Sequence, residues 1–445
     1  MSMNTPICDF VRRYAASKAL RAHMPGHKGQ GSLGVEALDI TEISGADSLY
    51  EASGIIAESE RNASTLFGCP TWYSTEGSSQ CIRAMVHLAL LHAQKRGKRP
   101  LILAGRNAHR TFLSAAALLD AEVSWLVPER EASYLSCSIT PDELQHALEA
   151  TGATAVYVTC PDYLGNTLDL AALAQVCHSH GALLLVDNAH GAYLKFLPEF
   201  RHPMDLGADI CCDSAHKTLP VLTGGAYLHL SDALAAEFGG QVKTALALFG
   251  STSPSYLILQ SLDAANAYLA DGYAEKLSRF ANKMRAAKER LTACGFTLAG
   301  DEELKITLLT KPYGYTGTAF AALLREKGIE CEFSDPDYVV FMLTPENGND
   351  LERLTQEILD IPQRAPIFSA PPALHLPERA MSIREATLSP QEVISALRCL
   401  GRVLAAATVG CPPAVPIAVC GERLDEETLQ AFRYYGIDTC TVVCE

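Results

Sequence analysis

Six short apolar segments between residues 101 and 230 constrain the fold more than any other feature of the sequence. They are too short for buried helices and are bounded by Gly, Pro or Asp. The segments are LILAG (101–105), EVSWLV (122–127), TAVYVT (154–159), ALLLVD (182–187), DICCDS (209–214) and AYLHL (226–230). Strands that are apolar throughout, rather than in alternation, are buried on both faces of a sheet. The pattern therefore predicts an α/β fold with a mostly parallel sheet covered by helices.

Two of the intervening helices have ends that can be located in the sequence. Residues 140–143, TPDE, form a capping box with proline at the first helical position. A second helix is predicted from an N-cap at Asp169 to His180, with Gly181 ending it. Helices with defined ends between strands are the crossovers that parallel strands require.

The length of 445 residues is about three times that of a typical domain. We predict an N-terminal arm (1–60), a large domain (61–295) that includes a helical connector (256–295), and a small C-terminal α+β domain (296–445). Further elements are expected in the small domain, namely strands at 305–310, 329–333 and 338–343 and helices near 318–327 and 390–407.

Charge and cysteine content exclude several classes of protein. The chain has 36 Lys and Arg against 51 Asp and Glu, a net charge of −15, so it lacks the basic field that holds a nucleic-acid backbone. Its 15 cysteines form neither CxxC pairs nor finger-like spacings, which indicates buried thiols in a reducing compartment and no metal site. No apolar run reaches the ~20 residues of a membrane span, and no signal pattern opens the chain. We therefore expect a cytoplasmic protein that binds neither nucleic acid nor membrane.

Three polar segments could meet at the carboxyl ends of the strands, where open parallel sheets bind ligands. Lys217 lies just after one strand, Asp187 ends another, and the GSS segment at 77–79 begins an amphipathic helix. Small residues at a helix start can bind a phosphate through backbone N–H groups and hydroxyls. An amine, a carboxylate and a phosphate site are what pyridoxal phosphate requires. Each segment alone has an ordinary alternative as a turn, a solvated loop or a plain helix start.

The motifs together resemble those of the bacterial ornithine/lysine/arginine decarboxylases, which are pyridoxal-phosphate enzymes of the aspartate aminotransferase fold. The resemblance runs in order from residue 23 to about 265, with a thinner match at 384–386 and 412–422. The matching segments are HMPGHKG (23–29), TE (41–42), Asp47, GSS (77–79), RNAH (106–109), DNAHG (187–191), SAHKTL (214–219) and STSPSY (251–256). Because the match begins by residue 23, we expect a short form without the N-terminal wing domain of larger members.

The resemblance implies a role for each matching residue. Lys217 is the Schiff-base lysine, Asp187 the partner of the pyridinium nitrogen, and His109 the ring stacked on the cofactor; His216 is counted with these catalytic residues. Further residues implied at the cofactor are Gly77, Ser78, Ser79, Ala189 and Ser214, with Ser251 and Thr252 supplied by the neighbouring subunit of a homodimer. His109 could instead be a polar core residue or a helix cap. Ser251 and Thr252 could instead form an N-cap before Tyr256.

The activity implied by the resemblance is decarboxylation of a basic amino acid to its amine and CO2. Arginine is favoured over lysine and ornithine because short members resemble arginine decarboxylases. Glu76 and Asn188 depart from the family pattern and leave substrate choice open, and a carboxylate at Glu76 should point away from a phosphate or pair with a Lys or Arg. Transamination or β-elimination is the nearest alternative, with Arg379 or Arg384 as a carboxylate clamp. The second alternative is a non-catalytic homologue that keeps Lys217 but turns over no substrate.

Overall fold

The computed structural model describes residues 3–129, 133–406, 410–411 and 415–445. The α-helices are α1 (Pro6–Ala16), α2 (Ile55–Phe67), α3 (Gly77–Lys95), α4 (Arg110–Leu119), α5 (Pro141–Thr151), α6 (Leu170–Ser179), α7 (Ala215–Thr218), α8 (Asp232–Ala247), α9 (Tyr256–Ala270), α10 (Tyr273–Ala293), α11 (Gly317–Glu326), α12 (Asp350–Leu359), α13 (Ile383–Leu388) and α14 (Glu426–Tyr435). The strands are β1 (Thr71–Ser74), β2 (Leu101–Gly105), β3 (Glu122–Leu126), β4 (Ala155–Thr159), β5 (Leu183–Asp187), β6 (Ile210–Asp213), β7 (Ala226–Leu230), β8 (Thr297–Ala299), β9 (Lys305–Leu309), β10 (Phe333–Ser334), β11 (Tyr338–Met342), β12 (Gln391–Ser395), β13 (Gly410–Cys411), β14 (Val415–Pro416) and β15 (Thr439–Val443). Within the described residues, none of the helices has both the length and the apolar character required to span a bilayer.

The chain forms two compact units, and each is assembled from two separate stretches of sequence. The first unit comprises Met1–Lys98 and Leu183–Lys276, and the second comprises Arg99–Ala182 and Leu277–Glu445. The domain boundaries expected near residues 60 and 295 stay a prediction.

The first unit contains a sheet with the strand order β1-β7-β6-β5. Strands β5 and β6 run parallel, which places Asp187 beside Cys212, whereas β7 is antiparallel to both β6 and β1. Every residue of β5, β6 and β7 is buried, as expected of strands that are apolar throughout. The strands predicted at 182–187, 209–214 and 226–230 are confirmed, and β1 is an addition to them.

The second unit holds the parallel strands β4, β2 and β3, with β2 in the middle. Both predicted helix caps are present. The Thr140 hydroxyl accepts a hydrogen bond from the Glu143 N–H at 3.3 Å, and the Glu143 carboxylate accepts one from the Thr140 N–H at 2.7 Å. The Asp169 carboxylate likewise accepts from the Ala172 N–H at 3.1 Å, so α6 begins where the sequence indicates.

An antiparallel sheet of the second unit has the strand order β10-β11-β9-β8, with α11 packed against β11. It confirms the strands predicted at 305–310 and 338–343 and the helix near 318–327. The strand predicted at 329–333 is largely wrong, because only its last residue, Phe333, pairs with β11.

The helix predicted around 390–407 is wrong. Residues Gln391–Ser395 form β12 instead, which pairs antiparallel with the last strand of the chain, β15. The Ala, Leu and Arg residues that favour helix begin at Ala396, after this strand, whereas Val393 and Ile394 within it are β-branched and favour pairing.

Candidate active site

Lys217 lies on α7, a single helical turn that directly follows β6. The turn is fixed by the Lys217 N–H, which donates to the Ser214 carbonyl at 2.9 Å. The Lys217 Nζ lies 2.8 Å from Nε2 of His190, whose side chain is buried. The lysine amine is thus half-buried and within hydrogen-bond distance of an imidazole nitrogen.

Asp187 is the last residue of β5 and is only 2% exposed. Its Oδ1 accepts from the Ala189 N–H at 3.2 Å and from the Cys212 thiol at 3.7 Å. A buried carboxylate at a strand end favours a cationic or N–H partner. It can therefore stabilise the protonated nitrogen of a heterocycle.

Hydroxyl groups and a helix start come together beside α7. The Ser214 hydroxyl donates to the Ser78 hydroxyl at 2.7 Å, and Ser78 lies in the first turn of α3. Gly77 begins this helix with φ +70, a conformation that favours glycine, and its N–H donates to the Gly224 carbonyl at 2.7 Å. Hydroxyls at the N-terminus of a long helix form a site that suits a phosphate.

Two further residues predicted to bind the cofactor, His216 and Ser79, lie near this helix start. His216 donates through Nδ1 to the Gly225 carbonyl at 3.0 Å, and its Cε1 would lie 4.0 Å from a Cβ added at Gly77. Ser79 is half-buried in the first turn of α3, whereas Glu76 is exposed. Ser214, Ser78 and Gly77 thus lie together at the start of α3, and Asp187 pairs with Cys212 on the strand that leads to Ser214.

His109 belongs to the second unit, where it directly precedes α4. Its Nδ1 accepts from the Thr111 N–H at 3.2 Å and lies 2.9 Å from the Thr111 hydroxyl. The helix-cap role considered for this residue is therefore observed. Its stacking on a cofactor stays a prediction.

Ser251 and Thr252 are exposed in the loop before α9. The Ser251 hydroxyl accepts from the Ser253 N–H at 3.1 Å. The N-cap of α9 is Ser255, whose hydroxyl accepts from the Ile258 N–H at 3.4 Å. The alternative that Ser251 or Thr252 caps this helix is therefore wrong.

Comparison with known families identifies the class of protein that carries these residues. A family model described as "Orn/Lys/Arg decarboxylase, major domain" matches residues 5–307. The chain belongs to the Orn/Lys/Arg decarboxylase family. As a member of the Orn/Lys/Arg decarboxylases, it is a decarboxylase of basic amino acids, as the sequence predicts.

Relatives within the family match over nearly the whole chain. An arginine decarboxylase of Bacillus subtilis (strain 168) is 30% identical over 464 residues, which covers 96% of this chain and 92% of that protein. An arginine decarboxylase of Bacillus anthracis is 30% identical over 463 residues, with the same coverage of both chains.

Solved structures support the fold of this Orn/Lys/Arg decarboxylase. A lysine decarboxylase of Francisella novicida superposes with a TM-score of 0.80 at 16% identity and covers 99% of this chain and 81% of that one. An alanine–glyoxylate aminotransferase of Nostoc sp. gives a TM-score of 0.55 at 17% identity, covering 68% and 85% of the two chains. These likenesses confirm the predicted aminotransferase-like α/β fold.

One contact between two family motifs is not evident from the sequence. The Arg106 guanidinium, 2% exposed, donates to the carbonyls of Pro416 and Ile417 at 3.2 and 3.1 Å and to the Glu422 carboxylate at 3.1 Å. The sequence hints at this contact only because Arg106 and Glu422 both lie in segments that match the family. Residues 412–414 of the same tail segment lie outside the described residues.

The arginines considered as a carboxylate clamp are engaged with the backbone. Arg384 donates to the carbonyls of Ala117 and Leu118 at 3.0 and 3.1 Å, at the C-terminal end of α4. Arg379 donates to the Met381 carbonyl at 3.3 Å. These contacts give the clamp of a transaminase no support.

Proposed function

We propose that the protein is a pyridoxal-phosphate-dependent arginine decarboxylase that converts arginine to agmatine and CO2. The observation that carries the choice of substrate is the similarity to arginine decarboxylases at 30% identity over 96% of the chain. Lysine and ornithine are the alternative substrates within the same family.

The residues of the first unit fit pyridoxal phosphate by their chemistry. The Ser78 and Ser214 hydroxyls and the start of α3 would hold the phosphate. The hydroxyl of Thr75, just before this helix, is buried and has no hydrogen-bond partner among the described residues. A buried hydroxyl without a partner is unfavourable, and a phosphate oxygen would satisfy it.

Asp187 would hold the ring nitrogen of the cofactor in its protonated form. When bound, pyridoxal phosphate supplies an electron-withdrawing ring that stabilises the charge left on the α-carbon as CO2 departs. A buried carboxylate favours a cationic partner because an opposite charge nearby stabilises the protonated nitrogen. Asp187 thereby determines how strongly the ring withdraws electrons.

Lys217 would provide the amine that joins the cofactor's aldehyde, and His190 would accept the proton that the Lys217 ammonium must lose. An ammonium group must lose a proton before its nitrogen can attack a carbonyl carbon. Nε2 of His190, 2.8 Å from Nζ, lies within the range for direct proton transfer. In its ammonium form, the Lys217 side chain would be able to return a proton to the α-carbon.

We propose in addition that the active site is shared between the subunits of a homodimer. Ser251 and Thr252 are exposed, and Ser255 rather than either of them caps α9. Their exposure leaves them accessible to a partner subunit, and the family resemblance assigns their hydroxyls to the cofactor phosphate of that partner. Cofactor affinity should then depend on dimerisation.

The decisive experiment measures CO2 release from arginine, lysine and ornithine in parallel, with the cofactor added in excess. We expect the highest kcat/KM with arginine and no turnover by the Lys217→Ala variant. Lys195→Ala is a matched control, because this lysine pairs with Asp205 in the same unit. A preference for lysine or ornithine would overturn the assignment of arginine. Release of CO2 from none of the three by cofactor-loaded protein would contradict the decarboxylase mechanism.

A further inference from the structure

A buried cluster of polar side chains lies directly behind the proposed cofactor site. Asp213, the last residue of β6, is completely buried. Its Oδ2 lies 3.1 Å from Nε2 of both His202 and His229, and its Oδ1 accepts from the Asn188 amide at 2.7 Å and the Cys211 thiol at 3.7 Å. We call these five residues the Asp213 cluster. A buried carboxylate requires a counter charge, and of the four groups that reach it only the imidazoles can carry one.

The hydrogen bonds of His202 define a neutral ring. Its Nδ1 accepts from the Met204 N–H at 3.4 Å, so this nitrogen carries no proton. A neutral imidazole has its single proton on the other nitrogen, Nε2, which donates to Asp213. His202 therefore does not supply the counter charge.

The hydrogen bonds of His229 define a different protonation state. Its Nδ1 lies 2.8 Å from the Thr71 hydroxyl, and that hydroxyl donates to the Cys69 carbonyl at 3.0 Å. A hydroxyl has one hydrogen to donate, so with that hydrogen on the Cys69 carbonyl the contact with His229 is made by a proton on Nδ1. Because Nε2 also donates to Asp213, both ring nitrogens of His229 are protonated.

We propose that His229 is a buried imidazolium that forms an ion pair with Asp213, and that this pair positions the strand ends that carry Asp187 and Lys217. Burial opposes the charge on each partner. The Asp213 carboxylate nevertheless raises the pKa of His229 above its ordinary value, and the two imidazoles hold the pKa of Asp213 below its usual range. The pair thus stays charged where an exposed histidine is neutral.

No other group around His229 competes for this charge among the residues described. Burial raises the pKa of Tyr227, which keeps its phenol neutral, and the Cys69 sulfur is 3.8 Å from Nδ1, farther than the Thr71 hydroxyl. The groups packed around His229 are Asp213, His202, Cys69, Thr71, Tyr227 and Phe67.

The Asp213 cluster connects directly to both catalytic strand ends. Asn188, which donates to Asp213, immediately follows Asp187. Asp213 itself precedes Ser214, whose carbonyl accepts from the Lys217 N–H at 2.9 Å. A shift of the Asp213 carboxylate would therefore move the two residues assigned to the cofactor ring and aldehyde. This positioning role rests on the proposed function, whereas the charge of His229 does not.

The charge is tested by the ring 15N signals of the cofactor-loaded protein labelled with 15N-histidine, recorded from pH 6 to 9. An exposed imidazole with a pKa of about 6.5 is about 99% neutral at pH 8.5. We expect one histidine to retain the doubly protonated signature at pH 8.5, and the same signal to be missing from His229→Gln. A neutral ring assigned to His229 at that pH would overturn the inference.

The positioning role is tested with Asp213→Asn, which removes the charge but keeps the size of the side chain. We expect His229 to become neutral at pH 8.5 and kcat to fall about 100-fold with the cofactor bound, as for a displacement of catalytic groups by about 1 Å. Asp205→Asn, which removes a carboxylate paired with Lys195, is the matched control and should change neither property. Unchanged kcat in Asp213→Asn would overturn the positioning role, and an unchanged His229 signature would overturn the ion pair.

Two outcomes separate this inference from the proposed function. If Asp213→Asn does not fold, His229→Gln, which retains an N–H donor without the charge, takes its place. Full activity of His229→Gln would then overturn the need for the charge. If wild-type protein shows the imidazolium but releases no CO2 from any basic amino acid, the proposed function and the positioning role fail while the ion pair stands.

Discussion

Replacement of Asp187 by asparagine should separate catalytic rate from stability. In the structure Asp187 accepts one backbone N–H bond at 3.2 Å and one from a thiol at 3.7 Å. Asparagine retains an oxygen for the backbone bond, so the free energy of unfolding should fall by no more than about 0.5–1.5 kcal/mol, the worth of one hydrogen bond. The protonated ring nitrogen of a bound cofactor would lose the negative charge that stabilises it.

The expected loss of rate is much larger than this loss of stability. Removing one preorganised electrostatic partner typically costs about 10²- to 10³-fold in kcat, which corresponds to about 2.7–4 kcal/mol in the activation free energy. We would measure kcat for CO2 release with the cofactor bound, cofactor occupancy by absorbance, and unfolding of the cofactor-free protein in urea.

Asp209, at the opposite end of the strand pair β5 and β6 from Asp187, provides a matched control. The Asp209 carboxylate accepts from the Leu184 N–H at 2.8 Å, so Asp209→Asn alters a comparable backbone bond far along the strands from Asp187. We expect this variant to lose similar stability and to keep its kcat. If Asp187→Asn retained kcat within a few fold of wild type at full cofactor occupancy, Asp187 would be a structural residue and the assigned role would be wrong.

Further predictions concern the cofactor lysine, the dimer and pH. Borohydride reduction of the yellow, cofactor-loaded protein should attach the cofactor to Lys217, as peptide mass analysis would show; attachment to another lysine would contradict the site. Mixing inactive Lys217→Ala with an inactive Ser251→Ala/Thr252→Ala variant should restore activity in mixed dimers, and mixed dimers that remain inactive would exclude a shared site. Burial raises the pKa of Asp335 from 3.8 to about 6, so its stabilising contribution is present below about pH 3.8 and is lost as pH rises through 6. At about 1.4 kcal/mol per pH unit this loss is at most about 3 kcal/mol, and Asp335→Asn should reduce the fall in urea-unfolding free energy between pH 4 and 8; an unchanged pH profile would refute the assignment.

The buried strands could be predicted because burial on both faces of a sheet selects apolar residues along the strand. Strands such as β5 and β7 are covered on both faces, so all their positions except Asp187 and His229 are apolar and the run is recognisable without its partners. Local chemistry also determines the capping box at Thr140 and the break between α9 and α10, where Gly272 adopts φ +71.

Elements that depend on distant partners could not be predicted in the same way. Strand β1 has only four residues, TWYS, too few to be recognised as a strand alone, and it pairs with β7, more than 150 residues later. Strand β12 mixes Gln391 and Glu392, which favour helix, with Val393 and Ile394, which favour strand, and its pairing with β15 decides between them. Such pairings are absent from any local pattern.

In the candidate site, too, residues that follow apolar runs could be predicted, whereas contacts that depend on turns could not. Lys217 and Asp187 could be placed at neighbouring strand ends because both follow apolar runs directly. The contact of His190 with Lys217 depends on the turn after β5, in which the Gly191 N–H donates to the Asn188 carbonyl at 2.8 Å. Periodicity does not encode a turn of this kind, although the motif in which His190 lies marks it as a candidate.

The buried ion pair between Arg106 and Glu422 has a consequence for how the chain matures. The two residues are 316 positions apart, so at about 5–20 residues per second the ribosome needs about 16–63 s after making Arg106 before its partner exists. During that interval the guanidinium has neither the carboxylate nor the carbonyls of Pro416 and Ile417. The segment ahead of His109 therefore reaches its final surroundings only after Glu422 has been made, and a nascent chain halted before Glu422 would expose it to chaperones and proteases.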